Sequence, residues 1–144
     1  MRGGISGYIP ASMKSECYCA ALRLAARKTT AIYDDALAPS GINVAQFSLL
    51  RKIDAYGPIS LTALGRLSGL ERSTVGRNCR VLEGAGLIAP ADGEDAREAC
   101  IALTPEGRRA IKRALVQWRD AQRKIETSLG EDGVAHLRSL LQRL

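Results

Sequence analysis

Apolar residues recur every three or four positions over most of the chain, which is the spacing of amphipathic helices. Helices are expected at about 12–37, 44–57, 60–67, 70–84, 104–129 and 131–144. Ser12 or Ser15 caps the first and Ser60 the third, because a serine oxygen accepts hydrogen bonds from free N–H groups at a helix start. Of the 144 residues, 46% are hydrophobic and only 4% aromatic, which favours one mostly helical domain.

Two short segments interrupt the helical pattern between 84 and 104. Leu87–Ala89 and Ala99–Leu103 are predicted to be strands, joined by a polar turn around Asp92-Gly93-Glu94. Thr104-Pro105 then starts a helix, with Thr104 as cap and Pro105 at the first helical position, where a missing N–H costs nothing. The segment therefore predicts a β-hairpin that leads directly into a helix.

The turn Ser68-Gly69 separates two short helices before this hairpin, as in a helix-turn-helix. In the second of them, Val75, Cys79 and Leu82 form one apolar stripe, so they are expected to be buried. The polar residues left to face outward are Ser73, Thr74, Arg77, Asn78 and Arg80. The fold class predicted is mainly α, a winged helix-turn-helix with a small hairpin wing and further helices at both ends.

The hairpin also carries a specific motif, D-x-R-x-x-x-[VIL]-x-L-T-x-x-G. It is met at Asp95, Arg97, Ile101, Leu103, Thr104 and Gly107. With this motif, segment 41–107 resembles the MarR family of bacterial transcription regulators. The resemblance implies a DNA-binding lobe at 42–103 and dimerisation helices at 12–38 and 104–144, within a single domain. Residues 1–11, with three glycines and a proline, are expected to form a flexible arm.

The charge distribution agrees with a double-stranded DNA partner. The formal net charge is +6, and between 66 and 80 four arginines face one acid, Glu71. We expect Arg77 to contact a base, and Arg72 and Arg80 to contact phosphates, with Ser73, Thr74 and Asn78 beside them. The resemblance implies that Arg97 enters the minor groove and that Asp95 holds it there. The simpler alternatives are solvated arginines and a structural salt bridge in the hairpin.

The end helices carry apolar residues that a compact lobe cannot cover alone, Trp118 among them, and these are expected to form the interface of a homodimer. A twofold dimer presents two recognition helices to successive major grooves, which predicts a pseudo-palindromic operator. Regulators that this chain resembles are usually repressors.

Two classes of effector remain open. Cys17 and Cys19 lie near a helix start with Arg23 close by, a position that favours reactive thiolates. The resemblance extends in part to organic-hydroperoxide sensors, placing Cys19 at the reactive cysteine and Tyr33 at one of its tyrosine partners. Arg23 and Val44 stand where the other tyrosines fall. Fourteen helical residues span about 21 Å, so Tyr33 would meet Cys19 only from the other subunit.

The alternative effector is an anionic aromatic ligand, held between the dimerisation helices and the DNA-binding lobe as in many MarR relatives, with cysteines that only pack. Arg23, Arg27 and Tyr33 are the candidates to line its pocket. A soft metal or arsenite at Cys17-x-Cys19 is a further alternative, but one histidine and no tight Cys/His cluster give little support for a metal site.

Other classes of function have less support. Cys19 and His136 would be nucleophile and base without a third group, and no cofactor fingerprint is present, so neither an enzyme nor a cofactor is expected. A winged-helix module that binds only proteins is disfavoured by the outward Arg72, Arg77 and Arg97. No apolar run approaches the roughly 18 residues that cross a bilayer, and no export signal is seen, so a cytoplasmic protein with no membrane partner is expected.

Overall fold

The computed structural model describes residues 17–94 and 97–144. Within these residues the helices are α1 (Tyr18–Leu37), α2 (Val44–Tyr56), α3 (Leu61–Ser68), α4 (Arg72–Gly84) and α5 (Pro105–Arg143), with a 3-10 turn at Ala38–Ser40. The strands are β1 (Ile59–Ser60), β2 (Ile88–Asp92) and β3 (Ala99–Leu103). The predicted fold class, mainly α with a hairpin wing, is confirmed. The expected arm at 1–11 and the caps Ser12 and Ser15 lie outside the described residues.

The three strands form one antiparallel sheet in the order β1-β3-β2. β2 runs further than predicted, to Asp92, which pairs with Ala99. Pro90 lies inside this strand and is tolerated because β2 is at the edge of the sheet, where a missing N–H breaks no ladder. β1 was not predicted, since two residues are too few to show a strand pattern; Ile59 pairs with Ile101 there.

The starts of α3 and α5 are fixed by side-chain caps. Ser60 Oγ accepts a hydrogen bond from Ala63 N at 3.2 Å, and Thr104 Oγ1 accepts one from Gly107 N at 3.0 Å, which confirms both predicted caps. The Thr104 hydroxyl also donates to Gly86 O at 2.6 Å. This second bond ties the start of α5 to the loop before β2, so the wing has a fixed base.

The core joins all five helices of the described residues to the base of the wing. Val75, Cys79 and Leu82 of α4 are buried, as the stripe predicted. They belong to one hydrophobic cluster to which the other helices and the wing contribute side chains, among them Leu37, Leu50, Leu64, Ile88 and Ala114. Packing of this stripe fixes the rotation of α4 about its own axis.

The long helix α5 is interrupted once, at Gly130. Gly130 has φ 70° and ψ 169°, a backbone conformation that favours glycine and lies outside the helical region. The sequence predicted two helices that separate at this residue, and the break lies there. The part after the break leaves several leucines exposed, including Leu137, Leu140 and Leu141.

We predict that Gly107→Ala destabilises the protein by about 3 kcal/mol in denaturant unfolding, because overpacking a rigid site has costs of this order. A Cβ on Gly107 would lie 2.0 Å from Leu87 O, a backbone atom that side-chain rotation cannot move. The control is Gly76→Ala in α4, where nothing lies within 4 Å of the new methyl group. That change should stabilise the helix by about 1 kcal/mol. Equal unfolding midpoints for wild type and Gly107→Ala would contradict the packing described for α5.

Candidate nucleic-acid interface

A tight turn places α4 directly after α3. Gly69 adopts φ 62°, a left-handed conformation that ends α3, and α4 begins at Arg72. Gly65 allows a close approach within this unit, since a Cβ there would lie 3.1 Å from Leu70 O. Gly76 makes no such approach to α3, because nothing lies within 4 Å of its Cβ position. The two helices form the predicted helix-turn-helix.

The face of α4 opposite its buried stripe carries the predicted contact residues. Ser73, Arg77 and Arg80 lie on this face and are exposed, and Arg72 is exposed at the helix start. The Arg77 guanidinium donates a hydrogen bond from Nη2 to Thr74 Oγ1 at 3.3 Å. Because Thr74 lies one turn earlier, this bond directs Arg77 towards the N-terminal end of α4, the end that reaches base edges in a helix-turn-helix.

Thr74 and Asn78 are held closer to the protein than the arginines. Both are half-buried, and Asn78 Nδ2 donates to Thr74 O at 3.1 Å. The Asn78 amide is thus engaged by its own helix, so this side chain has a local role in α4. Its predicted contact with DNA stays a prediction.

The start of α4 also borders a cleft of about 360 Å³ that contains two arginines. It is lined by Thr62, Gly65, Arg66, Gly69, Leu70, Glu71 and Arg72. The N-cap residue Glu71 makes no side-chain cap hydrogen bond, so no capping side chain occupies the first N–H groups of α4. These N–H groups, the helix dipole and the two guanidinium groups suit a phosphate. Arg66 was counted in the arginine excess of the sequence, but only the fold shows it beside Arg72.

Arg97 is exposed where the wing turns back into β3. Asp95, its predicted partner, lies outside the described residues. Asp92, Glu94 and Glu98 are exposed around the same hairpin, so the wing carries several carboxylates besides its arginine.

The four cysteines are free, and they fall into two classes. Cys79 is buried, and burial, followed by the nearby Glu83 carboxylate, raises the pKa of its thiol to about 11. Cys79 is therefore protonated at neutral pH, in agreement with its predicted place in the core. Cys100 is also buried, whereas Cys17 and Cys19 are exposed at the start of α1.

Tyr33 belongs to an aromatic cluster that joins α1, α2 and α5. Its ring stacks on Trp118 with centroids 6.2 Å apart, and Trp118 lies 6.2 Å from Phe47. The Tyr33 hydroxyl donates to Gln122 Oε1, and Gln122 Nε2 donates to Glu126 Oε1 at 3.3 Å. Burial, and then the Glu126 carboxylate, raise the pKa of Tyr33, so its phenol remains a donor. Trp118 thus packs against Tyr33 and Phe47 of its own subunit, and its predicted place at a dimer interface stays a prediction.

A cleft of about 460 Å³ opens beside this cluster. It is lined by Tyr33, Val44, Phe47, Ser48, Arg51, Lys52, Ala55, Tyr56 and Trp118. The cations that line this cleft with Tyr33 are Arg51 and Lys52 of α2. Arg23 and Arg27 are exposed on α1, and their predicted place in a ligand pocket stays a prediction. Arg51 lies one helical turn after Phe47, with Cζ 5.9 Å from the centre of that ring. The spacing of Phe47 and Arg51 by four residues is visible in the sequence, but the packing of α2 beside Tyr33 is not.

Comparison with known proteins identifies the family. A model described as the MarR family matches residues 42–98. The transcriptional regulator MosR of Mycobacterium tuberculosis, solved in complex with DNA, is 35% identical, with a TM-score of 0.72 over 89% of this chain and 98% of that chain. The chain belongs to the MarR family. It is therefore a DNA-binding transcriptional regulator, which fits the prediction that it is not an enzyme.

Other members solved with DNA share the fold. The transcriptional repressor CouR, bound to a 23-mer duplex, is 26% identical with a TM-score of 0.82, covering 94% of this chain and 96% of that chain. A mutant of MarR from Escherichia coli with operator DNA is 20% identical with a TM-score of 0.82, over 93% and 97% of the two chains, and shows the fold alone. A search of curated proteins found no match. No described helix of this MarR-family chain is long and apolar enough to cross a membrane.

We predict that Arg77→Ala lowers the affinity of this MarR-family protein for its operator by about 1–3 kcal/mol, because a good bidentate contact to guanine contributes this much discrimination. Binding is measured by fluorescence anisotropy with the operator and with a scrambled duplex. The loss should be larger on the operator. The control is Arg119→Ala, an exposed arginine on α5 outside the helix-turn-helix and the wing, which should leave both affinities unchanged. Equal losses for the two variants would contradict base contact by Arg77.

Proposed function

We propose that the protein is a homodimeric repressor that binds a pseudo-palindromic operator and releases it when an effector acts. The observation that carries this proposal is the outward face of α4, where Ser73, Arg77 and Arg80 are exposed opposite a buried stripe. Family membership supports it, because MosR and CouR were solved with DNA.

A second subunit is supported by apolar side chains at both ends of the chain. α1 exposes Leu22, Leu24 and Ile32, and the end of α5 exposes Leu137, Leu140 and Leu141. Burying such side chains contributes roughly 25 cal/mol per Å² of apolar surface, which favours association. These helices lie outside the DNA-binding lobe, so a twofold dimer through them leaves both copies of α4 open to DNA. Two copies of α4, placed one turn of the DNA duplex apart, would contact the two half-sites of a pseudo-palindromic operator.

Thiol oxidation is the first candidate effector. Cys17, the N-cap residue of α1, and Cys19, in its first turn, are exposed, whereas Cys79 is buried and protonated. An organic hydroperoxide would oxidise the Cys19 thiolate to a sulfenic acid, as the O–O bond breaks and the alcohol leaves. Tyr33 already donates its hydroxyl hydrogen bond to Gln122 in its own subunit. A role for Tyr33 opposite Cys19 of a partner would require that bond to break.

An aromatic anion is the second candidate, and the cleft at Tyr33 is the observation that favours it. Its walls include Phe47 and Trp118, and Arg51 and Lys52 stand at its side. An aromatic carboxylate would fit both features, because its ring can stack on Trp118 while its negative charge pairs with Arg51 or Lys52. The cleft joins α1 and α5 to α2 of the lobe, so a ligand there can change how the lobes sit in a dimer.

We predict that Arg97→Ala abolishes tight operator binding while the dimer mass, measured by light scattering, stays unchanged. The reason is that a wing arginine in a narrow minor groove is held by focused negative potential that alanine cannot use. Arg119→Ala again serves as the control. If Arg97→Ala bound the operator like wild type, the wing would have no part in the mechanism.

Two experiments with single-residue variants distinguish the two candidate effectors. With cumene hydroperoxide, wild type should release the operator and recover with dithiothreitol, and Cys19→Ser should stay bound; Cys17→Ser is the matched control. With benzoate, wild type should release the operator, and Arg51→Gln should keep it bound. Release of Cys19→Ser by the hydroperoxide would exclude Cys19 as the sensor. If benzoate at up to tens of millimolar left operator binding by wild type unchanged, the aromatic anion would be excluded as the effector.

A further inference from the structure

Gly76 stands inside a regular helix, where glycine is among the least favourable residues. It is the fifth of the thirteen residues of α4, so it belongs to neither end of the helix. Its φ is not positive, unlike that of Gly69 before the helix and Gly86 after it. The backbone conformation at this position therefore does not require glycine.

The packing of the subunit does not require glycine at position 76 either. Gly65 is needed for packing, because a Cβ there would lie 3.1 Å from the carbonyl oxygen of Leu70. A Cβ on Gly76 would meet nothing within 4 Å. Among the described residues an alanine would thus fit at this position, and it would strengthen the helix. Any contact that needs the glycine is therefore a contact with another molecule.

The place of Gly76 on α4 indicates that this molecule is DNA. Gly76 follows Ser73 by three residues and precedes Arg80 by four, and residues at these spacings are neighbours on a helix surface. Ser73 and Arg80 are both exposed on the outward face of α4, and Gly76 itself is only half-buried. Gly76 also lies in the N-terminal half of the helix, and residues in this part of a recognition helix reach base edges.

The helix surface has a gap at Gly76, because glycine has no side chain and its neighbours Arg77 and Arg80 have long ones. A base edge can approach the backbone at this gap while the arginines reach past it to other bases or to phosphates. We propose that Gly76 is a specificity-determining residue, whose missing side chain lets the backbone of α4 come into van der Waals contact with a base edge in the major groove. This rests on the proposed function, in which α4 reads the operator.

Close approach at Gly76 affects specific binding more than general affinity for DNA. Non-specific complexes are held by phosphate contacts, which carry no sequence information. Contacts with base edges require the helix to lie deep in the groove, and a methyl group at position 76 holds it back. Gly76→Ala should therefore weaken binding of the operator and spare binding of an unrelated duplex, although the same change stabilises the fold.

The test compares variants on the duplex upstream of the protein's own gene and on a scrambled duplex, by fluorescence anisotropy. Gly76→Ala should bind the upstream duplex about tenfold more weakly than wild type, and the scrambled duplex about equally well. Its denaturant unfolding midpoint should rise. The matched control is Gly84→Ala, which adds the same methyl group to α4 with nothing within 4 Å. Gly84 lies eight residues further along, about 12 Å away, so both affinities should stay unchanged.

A third variant, Gly76→Val, separates close approach from bending of α4. Valine is larger than alanine but forms helices less readily. Close approach predicts that Gly76→Val binds the upstream duplex more weakly than Gly76→Ala. A glycine that served to bend the helix would give the opposite order, since alanine stiffens the helix more. Unfolding of Gly76→Val at or above the wild-type midpoint should show that the loss is not one of folding.

The outcomes distinguish this inference from the proposed function. Wild-type affinity of Gly76→Ala for the upstream duplex would overturn the inference alone, and so would an equal loss on the scrambled duplex. A loss as large in Gly84→Ala, or tighter binding by Gly76→Val than by Gly76→Ala, would overturn it as well. If wild type did not prefer the upstream duplex to the scrambled one, the proposed function would fail and the role of Gly76 with it.

Discussion

The structure depends above all on the burial of one apolar stripe on α4. Val75, Cys79 and Leu82 pack into the core formed by the other helices and the base of the wing. With this stripe buried, Ser73, Arg77 and Arg80 must face outward, whatever their individual preferences. The outward face of α4, which we propose reads DNA, is therefore a consequence of core packing. The same burial raises the pKa of the Cys79 thiol and keeps it protonated at neutral pH.

The wing is held relative to this surface by contacts at its base. Thr104 binds Gly86 O while it caps α5, and Gly107 lets α5 pass against Leu87 O. These contacts link the end of α4, the hairpin and the long helix α5. The wing and the start of α5 are therefore held together by backbone contacts.

Local chemistry made much of the fold predictable. Ser60 and Thr104 act as caps because each hydroxyl oxygen accepts a hydrogen bond from the free backbone N–H three residues later. The buried stripe on α4 follows from the helical spacing of its apolar residues. What the sequence did not predict was tertiary. β1 is too short to carry a pattern and exists because β3 pairs with it. Arg51 and Lys52 meet Tyr33, and Arg66 meets Arg72, only because separate helices pack together. No local sequence pattern indicates which helices pack against each other.

We propose that a dimer uses two copies of α4 and the wing to read DNA. The decisive experiment measures binding of the wild-type protein to the DNA upstream of its own gene over a range of salt concentrations, with a scrambled duplex for comparison. We expect two subunits per site and a clear preference for the upstream DNA. The logarithm of the affinity should fall linearly with the logarithm of the salt concentration, because phosphate contacts release counterions. Equal affinity for the scrambled duplex, or binding that ignores salt, would contradict it.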